Sequence, residues 1–277
     1  MKDNGLRVLT YNIHKGFNTG NRRFVLHQIR EALIAADADL LFLQEMQGAH
    51  QRHEKRVENW PGSSQLEFIA EGVWPFFAYG KNAIYNAGHH GNAILSKYPF
   101  ESWENINVSP FPWASRSLLH GVIRMPRSLQ DVHVVCIHFG LMGKERRLQI
   151  GKLCERIDSH VPHDAPLIVA GDFNDWMGQA GRLFHDHLGL QEIFHKTHGC
   201  YARTFPAWMP FLQMDRIYYR GLTPVSCDRL AHSPWHALSD HAPLAASFSL
   251  DLKPVSDGAN TLPVVVGGLP SPLIMDK

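Results

Sequence analysis

The sequence predicts a layered α/β domain in which two packed β-sheets carry helices on their outer faces. Short apolar runs at residues 6–11, 40–43, 132–137 and 167–170 read as strands. They are mostly apolar and do not alternate with polar residues, which is typical of central strands covered on both faces. Only two helices are legible among these many strands, and that ratio favours two sheets with outer helices.

The two legible helices show the spacing of an amphipathic helix with one apolar stripe. At residues 22–36, Leu26, Ile29 and Leu33 share one face, because residues three or four apart lie together on a helix. Residues 144–157 repeat the pattern. Further strands are predicted at residues 91–96, 118–123, 216–219 and 243–250.

Length and composition exclude several classes of protein. The chain has 277 residues, 44% of them hydrophobic, which is enough to bury a sizeable core. With 27 Lys+Arg against 26 Asp+Glu, it does not read as a strongly basic protein that coats nucleic acid. No apolar run reaches the length of a membrane span, and no secretory signal is visible. The four scattered cysteines fit reduced thiols, so we expect a cytoplasmic protein.

One domain boundary is predicted near the carboxyl end. We expect residues 1–250 to form the catalytic domain and residues 251–277 to form an extension rich in Pro and Gly. The extension has no sustained period, so it is ordered only if it docks on the domain. Its apolar residues 264–266 are the candidate docking point.

Polar side chains flank six of the predicted strands. A carboxylate or imidazole beside a buried strand costs free energy unless it has a partner. One arrangement explains all six places: four strand ends and two strand beginnings meet at one edge, with the last two strands antiparallel to the others. The residues gathered there are Asn12, Glu45, His138, Asp172, Asn174, Asp215, Asp240 and His241.

This set of side chains predicts a metal-assisted hydrolysis. Acidic and amide oxygens without a thiolate ligand suit a hard cation, Mg²⁺ or Mn²⁺. The histidines suit proton transfer or contact with an anion. A cation that offsets phosphate charge, beside a carboxylate that orients water, favours hydrolysis of a phosphate ester.

Five short motifs in this order resemble the endonuclease/exonuclease/phosphatase superfamily, which has the DNase I-like fold. The motifs lie at residues 11–12, 43–45, 171–174, 214–217 and 239–243. Residues 12–16, 58–61 and 88–93 look like a bacterial branch of it, the YbhP-like proteins. The resemblance implies a four-layer α-β-β-α sandwich and a Mg²⁺-dependent phosphoester hydrolase.

The resemblance also implies roles for the carboxylates and amides. Glu45 and Asn12 match the residues that hold the metal, and Asp240 matches a position at its outer or second site. Asp172 resembles the residue that orients the attacking water. Asn174 resembles the amide that helps to hold the phosphate.

The histidines receive roles from the same resemblance. His241 resembles the imidazole on the scissile phosphate, positioned by Asp215. His138 matches a second histidine that acts as the acid at the leaving oxygen. Arg116 sits where several members place a phosphate-contacting arginine.

Four further residues are candidates for contact with substrate. Position 14 is His, where apurinic endonucleases have an acidic residue that serves as a second metal ligand. His14 is therefore placed with the substrate-binding candidates. The others are His90, Asn92 and Trp176.

Several alternatives stay open at this stage. The motif at residues 171–174 is also a turn with an Asx cap, and the motif at 239–241 is also a segment cap. The substrate is a nucleic acid or a phospholipid-type phosphodiester. An inositol- or sugar-phosphate monoesterase on the same fold is one rival, and a non-catalytic binding scaffold is the other.

Aromatic segments adjoin three of the motifs. Residues 205–211 precede Asp215, residues 111–113 precede Arg116, and Trp176 follows Asn174 closely. Such segments stack nucleic-acid bases, make peripheral contact with a membrane, or pack beneath their own loops. The sequence leaves the oligomeric state open.

Overall fold

The computed structural model describes residues 5–85, 88–111, 115–125 and 131–249. The predicted extension at 251–277, with its docking point at 264–266, lies outside the described residues. So do residues 112–113 of one aromatic segment. Within the described residues, no helix is both long enough and apolar enough to cross a membrane.

Twelve strands and six α-helices make up the described part of the chain. The strands are β1 Gly5–Asn12, β2 Leu40–His50, β3 Phe76–Tyr85, β4 Gly88–Ser96, β5 Phe100–Asn107, β6 Ser117–Arg124, β7 Asp131–His138, β8 Leu167–Asp172, β9 Gln191–Glu192, β10 Asp215–Arg220, β11 Thr223–Arg229 and β12 Leu244–Ser249. The helices are α1 Leu26–Ala36, α2 Gln51–Arg56, α3 Gln65–Ala70, α4 Gly143–His160, α5 Gln179–Leu188 and α6 Ile193–His198, with 3₁₀ turns at His14–Gly16 and Trp235–Ala237.

The strands form two six-stranded sheets that pack face to face with helices outside. One sheet has the order β11-β12-β1-β2-β4-β3, and the other has the order β5-β6-β7-β8-β10-β9. Neighbouring residues in a central strand belong to different cores. Val134 and Cys136 of β7 lie in the core between the sheets, whereas Val135 and Ile137 pack with α4 and α5. The four-layer α-β-β-α sandwich predicted from the sequence is confirmed.

The strand directions place the polar motifs at one edge. β1 runs parallel to β2, and β7 runs parallel to β8. β12 is antiparallel to β1, and β10 is antiparallel to β8. The carboxyl ends of β1, β7 and β8 therefore meet the amino ends of β10 and β12, as the sequence predicted.

Two predicted boundaries were wrong. The first helix begins at Leu26, because the side chain of Asn18 accepts hydrogen bonds from the backbone N–H groups of Arg22 and Arg23 and holds that segment out of the helix. β2 does not end before Glu45 but continues to His50 through a β-bulge.

Candidate active site

Asp172 lies at the centre of the candidate site, because it ends β8 between two other polar strand ends. Its register partners are His138 on β7 and Asp215 on β10. Oδ2 of Asp172 lies 3.4 Å from Nε2 of His138 and 3.8 Å from Nε2 of His241. Burial raises the pKa of Asp172, and the two histidines oppose that rise. Asp172 is therefore a stronger base than an exposed aspartate.

His241 and Asp215 form a buried hydrogen-bonded pair. Nδ1 of His241 lies 2.8 Å from Oδ2 of Asp215. Burial alone would lower the pKa of His241, but the carboxylates of Asp215 and Asp172 outweigh it and raise the pKa to about 10. The ring is consequently an imidazolium at neutral pH, with Nε2–H directed to the side of Asp172.

Asn12 connects the two sheets at this edge. Its Nδ2 donates to Oδ2 of Asp172 over 3.2 Å, although β1 and β8 belong to different sheets. The hydroxyl of Ser239 donates to the backbone carbonyl of Asn12 at 2.7 Å and accepts from the N–H of His241 at 3.3 Å. These bonds fix the segment that carries His241 against the end of β1.

Glu45 projects from the β-bulge in β2. The register passes from Leu43 opposite Ala93 to Met46 opposite Gly91, so the bulge carries Glu45. Its φ is 55°, an unfavourable value for a residue with a Cβ. Bulges re-aim side chains, and strain of this kind persists where surrounding structure enforces it.

Glu45 is ionised and paired with Lys15. Its Oε2 lies 2.9 Å from Nζ of Lys15. Burial opposes the negative charge, but His138 and Lys15 nearby lower the pKa of Glu45 to about 2. The carboxylate is thus available as a ligand for a cation at any physiological pH.

Two further histidines of the site are neutral. Burial lowers the pKa of His138 to about 4, assisted by the positive charge of Arg116 and opposed by Asp172. Burial also lowers the pKa of His90 to about 4, with Glu45 acting in the opposite direction. The positive charge of Arg116 contributes to lowering the pKa of both rings, and the negative charge of Glu45 opposes it.

The turn residues serve both the local backbone and the site. Oδ1 of Asp172 accepts from the N–H of Asn174, which is an Asx turn. The side-chain amide of Asn174 donates to the backbone carbonyl of Phe139. The backbone φ of Asn174 is 49°. Nδ1 of His14 lies 3.7 Å from Oδ1 of Asp240. The capping interpretation of these motifs and their placement at the site are therefore compatible.

Asn92 and Trp176 contact residues other than the central ones of the site. Asn92 is fully buried on β4, and its Nδ2 donates to the carbonyl of Ser117. The ring of Trp176 covers the guanidinium of Arg146 at 5.1 Å and is 39% exposed. Neither side chain has a described hydrogen bond or ring contact with Asp172 or His241.

Sequence reasoning assigned no role to Lys15, and it missed a buried charge network beside the site. Asp175 lies 3.3 Å from Arg216 and 3.9 Å from Arg146, all three essentially buried. A carboxylate directly after the motif at residues 171–174, and an arginine directly after Asp215, were the available signals. The sequence alone does not show whether these two charged side chains are buried or exposed.

One group of acidic and histidine side chains in the described ranges is a candidate cation site. Ligand atoms of Asp172, Asp215 and His241 all lie within 4.8 Å of one another. These are three of the five residues to which the family resemblance gives catalytic roles; the other two are His138 and Asn174.

Comparison with known proteins decides the family. The profile of the endonuclease/exonuclease/phosphatase family matches residues 9–241. The chain belongs to this family. Its members hydrolyse phosphoester bonds and usually use divalent metal ions. The family resemblance and the fold that it implied are both confirmed.

The relatives place this family member in the expected branch. The YbhP protein of Escherichia coli (strain K12) is 46% identical over 244 residues, which cover 88% of this chain and 96% of that protein. An endonuclease/exonuclease/phosphatase structure from Beutenbergia cavernae superposes with a TM-score of 0.71 at 18% identity, covering 88% of this chain and 71% of that one. The mannosyl-6-phosphatase Bt3783 of Bacteroides thetaiotaomicron gives a TM-score of 0.65 at 18% identity, covering 88% and 99%.

Proposed function

We propose that this family member is a divalent-metal-dependent phosphodiesterase that hydrolyses its substrate by attack of water at phosphorus. One observation carries the proposal: a buried carboxylate, Asp172, lies within 4 Å of both a neutral histidine, His138, and a protonated one, His241. A base beside a cationic donor is what a transfer of phosphorus from an alkoxide to water requires.

Glu45, Asn12 and Asp240 are the residues proposed to hold the metal. All three offer oxygen donors, and Glu45 is ionised, so the set fits Mg²⁺ or Mn²⁺. The group formed by Asp172, Asp215 and His241 fits a metal less well. The imidazolium of His241, bonded to Asp215, has no free lone pair for a metal. When bound, the ion offsets the negative charge of the phosphate.

The roles in proton transfer and in binding the phosphate belong to four other side chains. Asp172 accepts a proton from the attacking water, which its raised pKa favours. His241 donates Nε2–H to a phosphate oxygen as its charge grows, while Asp215 keeps the ring oriented and charged. Asn174 and Arg116 contact the phosphate.

His138 keeps its proposed place beside the leaving oxygen. Its low pKa means that the ring is neutral near pH 7, so in the resting enzyme it serves as a hydrogen-bond donor. His14, His90, Asn92 and Trp176 are the further residues proposed to contact the substrate. We also propose that the protein is cytoplasmic.

A diester is preferred to a monoester because the site has two histidines and because one of its cations, the ammonium of Lys15, is already paired with Glu45. A monoester dianion demands more compensating positive charge than a diester. Among the structural relatives, Bt3783 is a mannosyl-6-phosphatase. A sugar- or inositol-phosphate monoesterase is therefore the second candidate. Nucleic acids and phospholipids are the two substrate classes proposed.

Hydrolysis of bis(p-nitrophenyl) phosphate and of p-nitrophenyl phosphate in Mn²⁺ tests the proposal. We expect faster turnover of the diester, abolished by EDTA and reduced by orders of magnitude in Asp172→Asn. Asp186→Asn is the matched control, because that carboxylate is exposed on α5. Hydrolysis of the monoester alone would establish the second candidate. If the protein shows no Glu45-dependent binding of Mn²⁺, that result would favour the non-catalytic binding scaffold.

A further inference from the structure

Three loops beside the site expose large apolar side chains to solvent. Each of these side chains is between 39% and 69% exposed. We call this set the apolar rim; it consists of Leu141, Met142, Trp176, Met177, Trp208, Met209 and Phe211. Large exposed apolar side chains grouped in this way mark an interaction surface, whereas single ones are ordinary.

The three loops are neighbours because the strands that they adjoin are neighbours. The first loop follows β7, the second follows β8, and the third precedes β10, and these strands are adjacent in one sheet. The third loop also reaches the site itself, since the ring of Phe205 lies 5.0 Å from the ring of His241. The apolar rim thus borders the candidate active site on the side of Asp172.

A buried charge network holds the backbone of these loops in place. Arg146 donates to the carbonyl of Leu141 in the first loop and lies beneath the ring of Trp176 in the second. Arg216 donates to the carbonyls of Asp175 and Gln213, which joins the second loop to the third. The rim residues are therefore displayed on a fixed platform and do not pack under their own loops.

The charged residues among these loops are cationic wherever they are exposed. Glu145 turns inward, where its carboxylate accepts from Gln149, and Asp175 is fully buried. Within residues 139–144, 176–183 and 203–213, all of which the structure describes, no acidic side chain is exposed. The exposed cations in and beside these loops are Lys144, Arg147, Arg182 and Arg203, and the exposed acid beside them is Asp186 on α5, which pairs with His185.

We propose that the apolar rim is a docking surface for an anionic phospholipid bilayer. Trp, Met, Leu and Phe side chains enter the boundary between headgroups and acyl chains, and flanking Lys and Arg attract anionic lipids. Leu141 and the methionines have no aromatic face on which a base can stack, so a lipid surface suits the set better than single-stranded nucleic acid. This proposal concerns binding and does not depend on the proposed hydrolysis.

Sedimentation with vesicles in EDTA tests docking without turnover. One set of vesicles is phosphatidylcholine alone, and the other is an equimolar mixture with phosphatidylglycerol. The test variant is Met142→Glu combined with Met209→Glu. The matched control is Val225→Glu, because Val225 is 64% exposed and lies near Gly5, at the other end of β1 from the site. Circular dichroism verifies that each variant is folded.

We expect the wild type and the Val225→Glu control to sediment with the anionic vesicles, and less with phosphatidylcholine. The double variant is expected to partition at least about tenfold more weakly. Brominated lipid is expected to quench wild-type tryptophan fluorescence. Failure of the wild type to sediment, or equal sedimentation of the folded double variant, would overturn the proposal. Tighter binding of a single-stranded oligonucleotide than of vesicles, lost in the double variant, would assign the rim to bases instead.

Discussion

Oδ2 of Asp215 accepts a 2.8 Å hydrogen bond from Nδ1 of His241, and the two residues come from different sheets of the sandwich. Asp215 begins β10, and His241 lies three residues before β12. The bond fixes the orientation of the ring and keeps it charged, and it leaves Nε2–H directed to the space beside Asp172. The relative position of the sheets is thereby part of the geometry of the candidate site.

Replacing Asp215 by Asn is predicted to impair this positioning without unfolding the protein. The ring loses its buried counter-charge, so the pKa of His241 falls from about 10. We expect kcat to fall about 10²–10⁴-fold with KM little changed. The alkaline limb of the pH profile should move to lower pH, because protonated His241 is lost earlier. An unchanged profile in Asp215→Asn would contradict the assigned role; Asp228→Asn, on the exposed face of β11, is the control.

Replacing Lys15 by Met is predicted to tighten binding of Mn²⁺. The ammonium lies 2.9 Å from Glu45 and competes with a metal for the same carboxylate. The pair is partly exposed to solvent, which weakens the competition, so we expect a gain of about tenfold in affinity. Calorimetric titration measures it, with Lys152→Met on the exposed side of α4 as control. Weaker binding in Lys15→Met would show that Lys15 assists the metal site.

Replacing Gly171 by Ala is predicted to separate β8 from β7. A Cβ at this position would lie 2.0 Å from the carbonyl oxygen of Ile137, and the φ of Gly171 is 148°. We expect a loss of roughly 2–5 kcal/mol in the free energy of unfolding. Gly151→Ala is the control, since a Cβ there meets open space within α4; it should gain up to about 1 kcal/mol. Equal stability of the two variants in urea unfolding would refute this explanation.

Glu192 is predicted to make the protein less stable as the pH rises. Burial raises its pKa to about 7, from 4.5, against the hydrogen bond from the N–H of His195. Between these two values the unfolded chain ionises while the folded one keeps its proton, so the free energy of unfolding falls until about pH 7 and then levels off.

The Glu192→Gln variant removes that titration. The free energy of unfolding of the variant minus that of the wild type should be roughly 3 kcal/mol larger at pH 8 than at pH 4. Urea unfolding at both values measures the difference, and Glu31→Gln on α1 supplies an exposed control. A difference that does not change with pH would mean that Glu192 has the same pKa in the folded and in the unfolded chain.

The sequence by itself determined which strands are central and which residues end them. Strands such as β7 and β8 are apolar at most positions on both faces, because each sheet of a sandwich is covered on both faces, and that pattern is local. The polar residues that follow, His138 and Asp172, interrupt the pattern at the strand ends. Short or alternating elements were not legible: β3, β5, β9 and β11, and the helices α2, α3, α5 and α6.

Only the tertiary structure decided how these residues meet. The bulge that turns Glu45 into the site and the ion pair that Lys15 makes with it depend on strand pairing, which no local pattern encodes. The protonation states of His138 and His241 differ because the first ring is dominated by burial and the second by two carboxylates. Desolvation and charge proximity are properties of three-dimensional packing, so the same residue type acquires opposite charge states within one site.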